Sequence, residues 1–161
     1  MTNFSSPLEI RIEKATKDEW ESILGLLDET GSKEYLSGKE TYKTFYTTRL
    51  NNDTSFVNCF SIEVENNIGI LKSFAIKKEL QGKGLGKIIT TKLTEITRQL
   101  ALKKLYASSW EAPGFWIKTN LKEIKEESIV DSFFLHYVQS LQKDFPILYR
   151  SVKHFVLIIN D

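Results

Sequence analysis

Between an apolar run, Leu71 to Ile76, and a helix-periodic segment opening at Leu85 stands the loop Gln81-Gly82-Lys83-Gly84-Leu85-Gly86-Lys87, with glycine at every second position. Without a Cβ, glycine enters left-handed conformations freely and lets the main chain come within hydrogen-bonding distance of a ligand. A helix starting directly behind such a turn offers its first unpaired N–H groups to whatever lies there. Phosphate suits that arrangement, and Lys83 and Lys87 add positive charge. A tight turn capping a core helix satisfies the same residues, so both readings stand at this level.

Two familiar phosphate loops do not match the letters. The P-loop pattern would need Gly where Gln81 stands and Ser or Thr where Ile88 stands. The dinucleotide fingerprint needs its third glycine three residues after its second, whereas Gly86 follows Gly84 by two.

Around the loop, the apolar periods alternate between strand and helix. Leu8, Ile10 and Ile12 alternate with polar residues as in a half-buried strand, and Thr16-Lys17-Asp18-Glu19 is a capping box leading into Trp20, Ile23, Leu24 and Leu27. A second box, Ser37-Gly38-Lys39-Glu40, precedes Tyr42, Phe45, Tyr46 and Arg49 and predicts a helix over 39–50. The Thr and Tyr content of that stretch, with Asn51-Asn52-Asp53 as a turn, supports a strand instead. Ser55 to Val64 and Ile68 to Ile76 read as paired strands, and Leu85 to Leu100 as one amphipathic helix. Lys104 to Ser109 reads as a strand, Ala112 to Asn120 as a short helix and Leu121 to Glu126 as a strand. Ser128 to Lys143 follows as a helix, stopped by Pro146, and Val152 to Ile159 as a final strand. The sum is an α/β (α+β) fold with a mixed, mostly antiparallel sheet flanked by helices, and an extra helix between the last two strands.

The 161 residues suit one domain, 1–161. With 22 basic against 21 acidic side chains, a net charge of +1 predicts neither nucleic acid nor an anionic membrane as partner. Cys59 is the single cysteine, set in an apolar run, which excludes an intrachain disulfide and points to a buried thiol in a reducing compartment. His136 and His154 have no partner at metal-ligand spacing, so no metal is expected. Met1 to Pro7 lacks the features of a secretory leader, and no apolar run reaches the ~18 residues of a membrane span. A soluble, cytoplasmic protein is expected.

The spacing Gln81-x-x-Gly84-x-Gly86 is similar to the acyl-CoA signature of the GNAT superfamily of N-acetyltransferases, Gln/Arg-x-x-Gly-x-Gly/Ala. Ala112-Pro113-Gly114-Phe115-Trp116 resembles that family's Ala-x-x-Phe-Tyr helix, and the resemblance covers about residues 8–126. It implies acetyl-CoA as cosubstrate, with Gln81, Gly82, Lys83, Gly84, Leu85, Gly86 and Lys87 on the pyrophosphate. Phe74, Ala75 and Ile76 would pair with the pantetheine arm, the N–H of Ile76 would meet the thioester carbonyl, and Ser109 would stand where the family usually has Asn. A small amine or peptide amine would attack the thioester directly, with no covalent enzyme intermediate. Glu111 and then Glu63 are the candidate bases. Trp116 replaces the usual Tyr, whose phenol serves the departing thiolate, and an indole N–H is not a useful acid at neutral pH. Tyr106 and Tyr137 are candidate substitutes. Glu29, Glu34, Tyr35 and Tyr42 are candidate acceptor-pocket residues, and the state is expected to be monomer or homodimer. The family usually places three strands between its second helix and the glycine loop, which conflicts with a helix over 39–50. Two other readings remain: a non-catalytic acyl-CoA sensor or interaction module of the same fold, and a nucleotide-phosphate binder.

Overall fold

The computed structural model describes residues 8–160; the N-terminal stretch Met1 to Pro7, which is not expected to be a secretory leader, lies outside them. The chain gathers into two compact units, the first running to Ile62 and taking up Lys72–Ile89, the second made of Glu63–Leu71 and the chain from Thr90 onward.

In the first unit, β1 (Ile10–Lys14) pairs antiparallel with β2 (Phe45–Leu50), which pairs antiparallel with the start of β3 (Asn58–Glu65). The end of β4 (Ile68–Ile76) completes it. Helix α1 (Trp20–Glu29) is introduced by the expected box: the Thr16 N–H donates to Glu19 Oε1 at 2.9 Å. Its buried stripe of Ile23, Leu26 and Leu27 packs with Phe45, Phe56, Cys59 and Ala75, the 3.6-residue period meeting the inward residues of the strands. Arg49 Nη2 donates to Glu19, joining β2 to the start of α1.

The stretch 39–50 corrects the helical expectation. The second box forms chemically, with Ser37 N–H and Oγ both donating to Glu40 at 2.9 Å. No α-helix follows it: a short 3-10 turn (Tyr42–Thr44) leads into β2. The run Phe45-Tyr46-Thr47-Thr48 is β-branched and aromatic, and its side chains are buried on both faces, where strand packing overrides a local helix signal.

In the second unit the first half of β4 pairs in parallel with β5 (Lys104–Ser109), from Ile68↔Lys104 to Leu71↔Ala107. Strand β7 (Lys153–Ile158) is antiparallel to β5 and to β6 (Lys122–Ile124). Helix α5 (Ser132–Asp144) lies between β6 and β7 in sequence, as expected, and stacks Phe134 on Tyr106 with ring centroids 4.2 Å apart. Strand order is β1-β2-β3-β4 for the first unit and β4-β5-β7-β6 for the second.

The single helix expected over 85–100 is two, α2 (Leu85–Thr91) and α3 (Leu93–Gln99), divided at Lys92. Thr90 and Thr91 lead into the break, and β-branched residues of this kind hold a helix less firmly than straight-chain ones. Among the described residues, no helix is long and apolar enough to cross a membrane.

Candidate functional site

The last residues of β4 and the glycine loop form one construction within the first unit. The Lys77 N–H donates to the Val57 carbonyl at 3.0 Å and Asn58 Nδ2 to the Ala75 carbonyl at 2.8 Å, so Ala75 and Lys77 turn their polar main-chain groups toward β3. Successive residues of a strand alternate, so Phe74 and Ile76 present theirs on the opposite edge. On that edge Gln81 Nε2 donates to the Ile76 carbonyl at 2.9 Å, tying the loop back to the strand that precedes it.

Ser73, just upstream, has φ +54°, a left-handed conformation rare for a residue with a side chain. The β4–β5 ladder runs as far as Leu71, so the kink marks the point at which β4 leaves that pairing. Its hydroxyl-bearing side chain gave no sign of this in the sequence.

Beyond Gln81 the main chain turns through Gly82 (φ +75°) and Gly84 (φ +87°), both in the left-handed region. A Cβ at either position would meet nothing within 4 Å, so glycine is required by backbone conformation and not by crowding from within the protein. The Ile88 N–H donates to the Gly84 carbonyl at 3.4 Å, which makes Gly84 the residue from which α2 begins. The N–H groups of its first turn belong to Leu85, Gly86 and Lys87, and intrahelical geometry leaves the first N–H groups of a helix without helical acceptors. Leu85 and Gly86 are buried while Gln81, Gly82 and Gly84 are exposed, so the loop presents main chain outward from an anchored base. Lys83, half-buried, and Lys87, exposed, supply cations beside it. The donor set fits a polyanion: main-chain N–H groups, two ammonium groups, and bare glycine surface for close approach.

Ser109 and the candidates for proton transfer belong to the second unit. Ser109 ends β5 and accepts from the Ala112 N–H at 3.2 Å, capping the bend that leads into α4 (Pro113–Ile117). Glu111 is exposed on that bend, and Glu63 is half-buried on β3. Trp116 is buried, 6.4 Å from Phe155 between ring centroids, and acts as core. Tyr106 is no free phenol: its hydroxyl donates to Asp131, and burial together with that carboxylate pushes its pKa far up. Tyr137 stacks on Phe134.

Of the candidate acceptor residues, Glu29 lines a groove of the first unit with Asp18, Ser22, Arg49, Ser55 and Lys77. Tyr42 packs on the core of that unit, Tyr35 is half-buried and Glu34 exposed. Cys59 is buried, and burial raises its thiol to about 12, as expected of a structural thiol.

One cluster was missed. Ser108 and His154 face each other across β5 and β7, with Ser108 Oγ 2.7 Å from His154 Nδ1. His154 Nε2 lies 3.2 Å from the Tyr149 hydroxyl, which donates to Glu126. The sequence had placed His154 in apolar surroundings and stopped there.

No family model and no curated protein matches the sequence. Solved structures do match the fold. N-acetylglutamate synthase from Neisseria gonorrhoeae, crystallised with coenzyme A and N-acetyl-glutamate, superposes with a TM-score of 0.68 at 18% identity, over 95% of this chain and 36% of that one. The chain thus spans about a third of that enzyme's length. Rv2747 from Mycobacterium tuberculosis, in complex with CoA, gives 0.66 at 14% identity over 93% of this chain and 99% of that one. A GNAT-family acetyltransferase from Staphylococcus aureus gives 0.61 at 15% identity over 94% and 100%. The chain has the fold of the GNAT acetyltransferases.

Proposed function

We propose that residues 1–161 act as a single acyl-CoA-dependent N-acetyltransferase domain, moving an acetyl group from acetyl-CoA to a primary amine by direct attack in a ternary complex. The observation that carries this reading is the loop tied to its strand: Gln81 on the Ile76 carbonyl, with Gly82 and Gly84 held left-handed ahead of α2. Gln81 to Lys87 would bind the pyrophosphate through main-chain N–H groups, with Lys83 and Lys87 neutralising its charge. The edge of β4 at Phe74 to Ile76 would take the amide-bearing pantetheine arm as a strand takes a neighbour, with Ser109 as a further partner. Glu111 and Glu63 are assigned to passing the amine's proton on to solvent. Catalysis then rests on orientation of the two reactants and removal of that proton. The acceptor is a small amine or a peptide amine, the setting cytoplasmic, and the state monomer or homodimer.

A second reading, an acyl-CoA sensor without turnover, draws on the buried Trp116 and the engaged Tyr106 hydroxyl, which leave neither as a proton donor to the thiolate. Calorimetric titration with acetyl-CoA, CoA and ATP separates the readings when followed by thiol-release assays with L-glutamate, L-arginine, spermidine and a tetrapeptide with a free N-terminus. Selective acetyl-CoA binding with release supports the transferase, and binding without release supports the sensor. Preference for ATP, or no binding, removes both.

A further inference from the structure

Ser108, His154, Tyr149 and Glu126 form a connected chain whose proton positions can be assigned. A carboxylate only accepts, so the Tyr149 hydroxyl donates its hydrogen to Glu126. The Tyr149 oxygen is then left to accept from His154 Nε2 at 3.2 Å, which places the imidazole hydrogen on Nε2. Nδ1 is therefore the bare nitrogen, and it accepts the Ser108 hydroxyl hydrogen across 2.7 Å. A hydroxyl on a bare imidazole nitrogen, with the other nitrogen oriented by an acid-backed group, is the arrangement by which a serine proton is made transferable.

Position supports a chemical role. His154 is 4% exposed while Ser108 is half-buried, so Ser108 is the end of the chain open to a substrate and His154 the protected store behind it. Alternation along β5 turns Ser108 to the face packed by α5, where Phe134 meets the His154 ring edge-on, and Ser109 to the opposite face, shared with Phe155 and Trp116. Among the described residues, Tyr149 and Glu126 are titratable groups that meet His154; β5 contributes Ser108, β6 brings Ile124 opposite in register, and α5 brings Phe134. Gln142 of α5 donates to Glu126 at 3.4 Å.

Resting on the transferase reading, and replacing Glu111 and Glu63 in its proton step, we propose that Ser108 takes the proton of the attacking amine and passes its own to His154, with Tyr149 and Glu126 holding the ring in the receiving tautomer. The amine nitrogen bonds to the thioester carbonyl carbon and the C–S bond breaks, leaving the electron pair on the CoA thiolate. The ammonium hydrogen moves to Ser108 Oγ as the Ser108 hydrogen moves to Nδ1. The imidazolium, 3.8 Å from Glu126, then returns its Nδ1 proton to Ser108 Oγ as the Ser108 hydrogen passes to the thiolate or to solvent, which restores the chain. Burial outweighs Glu126 and holds the imidazole below its usual pKa, so it is neutral and receptive at neutral pH.

The test uses the full chain, acetyl-CoA and the four amines named above. Ser108→Ala and His154→Gln should keep acetyl-CoA affinity and lose about 100-fold or more in kcat for the accepted amine, while Ser108→Thr restores most of it. The acid limb of kcat/KM, set in the wild type by protonation of His154, should vanish in His154→Gln. Tyr149→Phe, which leaves the aromatic packing in place, should shift that limb and the histidine 15N resonances that report the Nε2–H tautomer; it serves if His154→Gln does not fold. Wild-type kcat with an unchanged limb in folded Ser108→Ala and Tyr149→Phe overturns the relay, as does acetyl-CoA binding with no transfer to any of the amines. Absence of acetyl-CoA binding overturns the transferase reading itself.

Discussion

The side-chain amide of Gln81 donates to the main-chain carbonyl of Ile76 at 2.9 Å, so the loop that begins at Gln81 is fastened to the strand end five residues earlier. Gln81 is exposed, and its bond orders the loop without supporting the core. Gln81→Ala should therefore leave Tm within about 1–2 °C of wild type while weakening CoA binding. A hydrogen bond contributes about 0.5–1.5 kcal/mol, so calorimetry should show Kd rising roughly 2- to 12-fold.

Gly84 tests the backbone requirement. Its φ of +87° has no space problem to solve, since an added Cβ would meet nothing within 4 Å. Gly84→Ala should cost about 1–2 kcal/mol from the left-handed conformation alone, read as a lowered midpoint in urea. CoA affinity should fall by a larger factor than for Gln81→Ala, because the alanine methyl also stands where a phosphate must approach the main chain. Equal effects of the two variants on Kd would count against direct main-chain contact.

Cys59 gives a prediction in which nothing is mutated. The thiol is fully buried, raised to about 12 by loss of solvation, and packed among α1 and β2 residues. The thiolate is the reactive species, so Ellman's reagent at pH 8 should leave the native protein unmodified over hours and titrate one thiol per chain in guanidinium. Fast reaction in the native state would mean that the first unit's core opens readily.

The glycine loop, the buried thiol and most strands could be read from the sequence because each depends on residues adjacent in the chain. Stretch 39–50 could not, because the Ser37–Glu40 box, a true helix signal, forms its bonds and then yields to strand burial of Phe45, Tyr46, Thr47 and Thr48. Ser73 carries a left-handed φ just past the end of the β4–β5 ladder, a place that no local residue pattern marks. The Ser108–His154 pair joins residues 46 positions apart, and the β5–β7 register that makes them neighbours leaves no local pattern.

Asp131 ties the start of α5 to β5 and predicts how stability depends on pH. Burial raises its pKa, but hydrogen bonds from Tyr106 and from Lys104 at 2.9 Å, with the Lys104 charge, outweigh that and hold the carboxyl below its ordinary 3.8. A group whose folded pKa lies below its unfolded value contributes stability fully above the unfolded value and loses it as pH falls through the folded one. Asp131→Asn keeps an acceptor for the Tyr106 hydroxyl and removes the charge, so it should cost about 1–2 kcal/mol at pH 6–7. Urea denaturation at a series of pH values should show wild type and Asp131→Asn converging below pH 3.8, as the wild-type carboxyl takes up its proton. If the gap between them stayed constant down to pH 2–3, Asp131 would be acting through packing or helix capping, and its charge would have no part in holding α5 to the sheet.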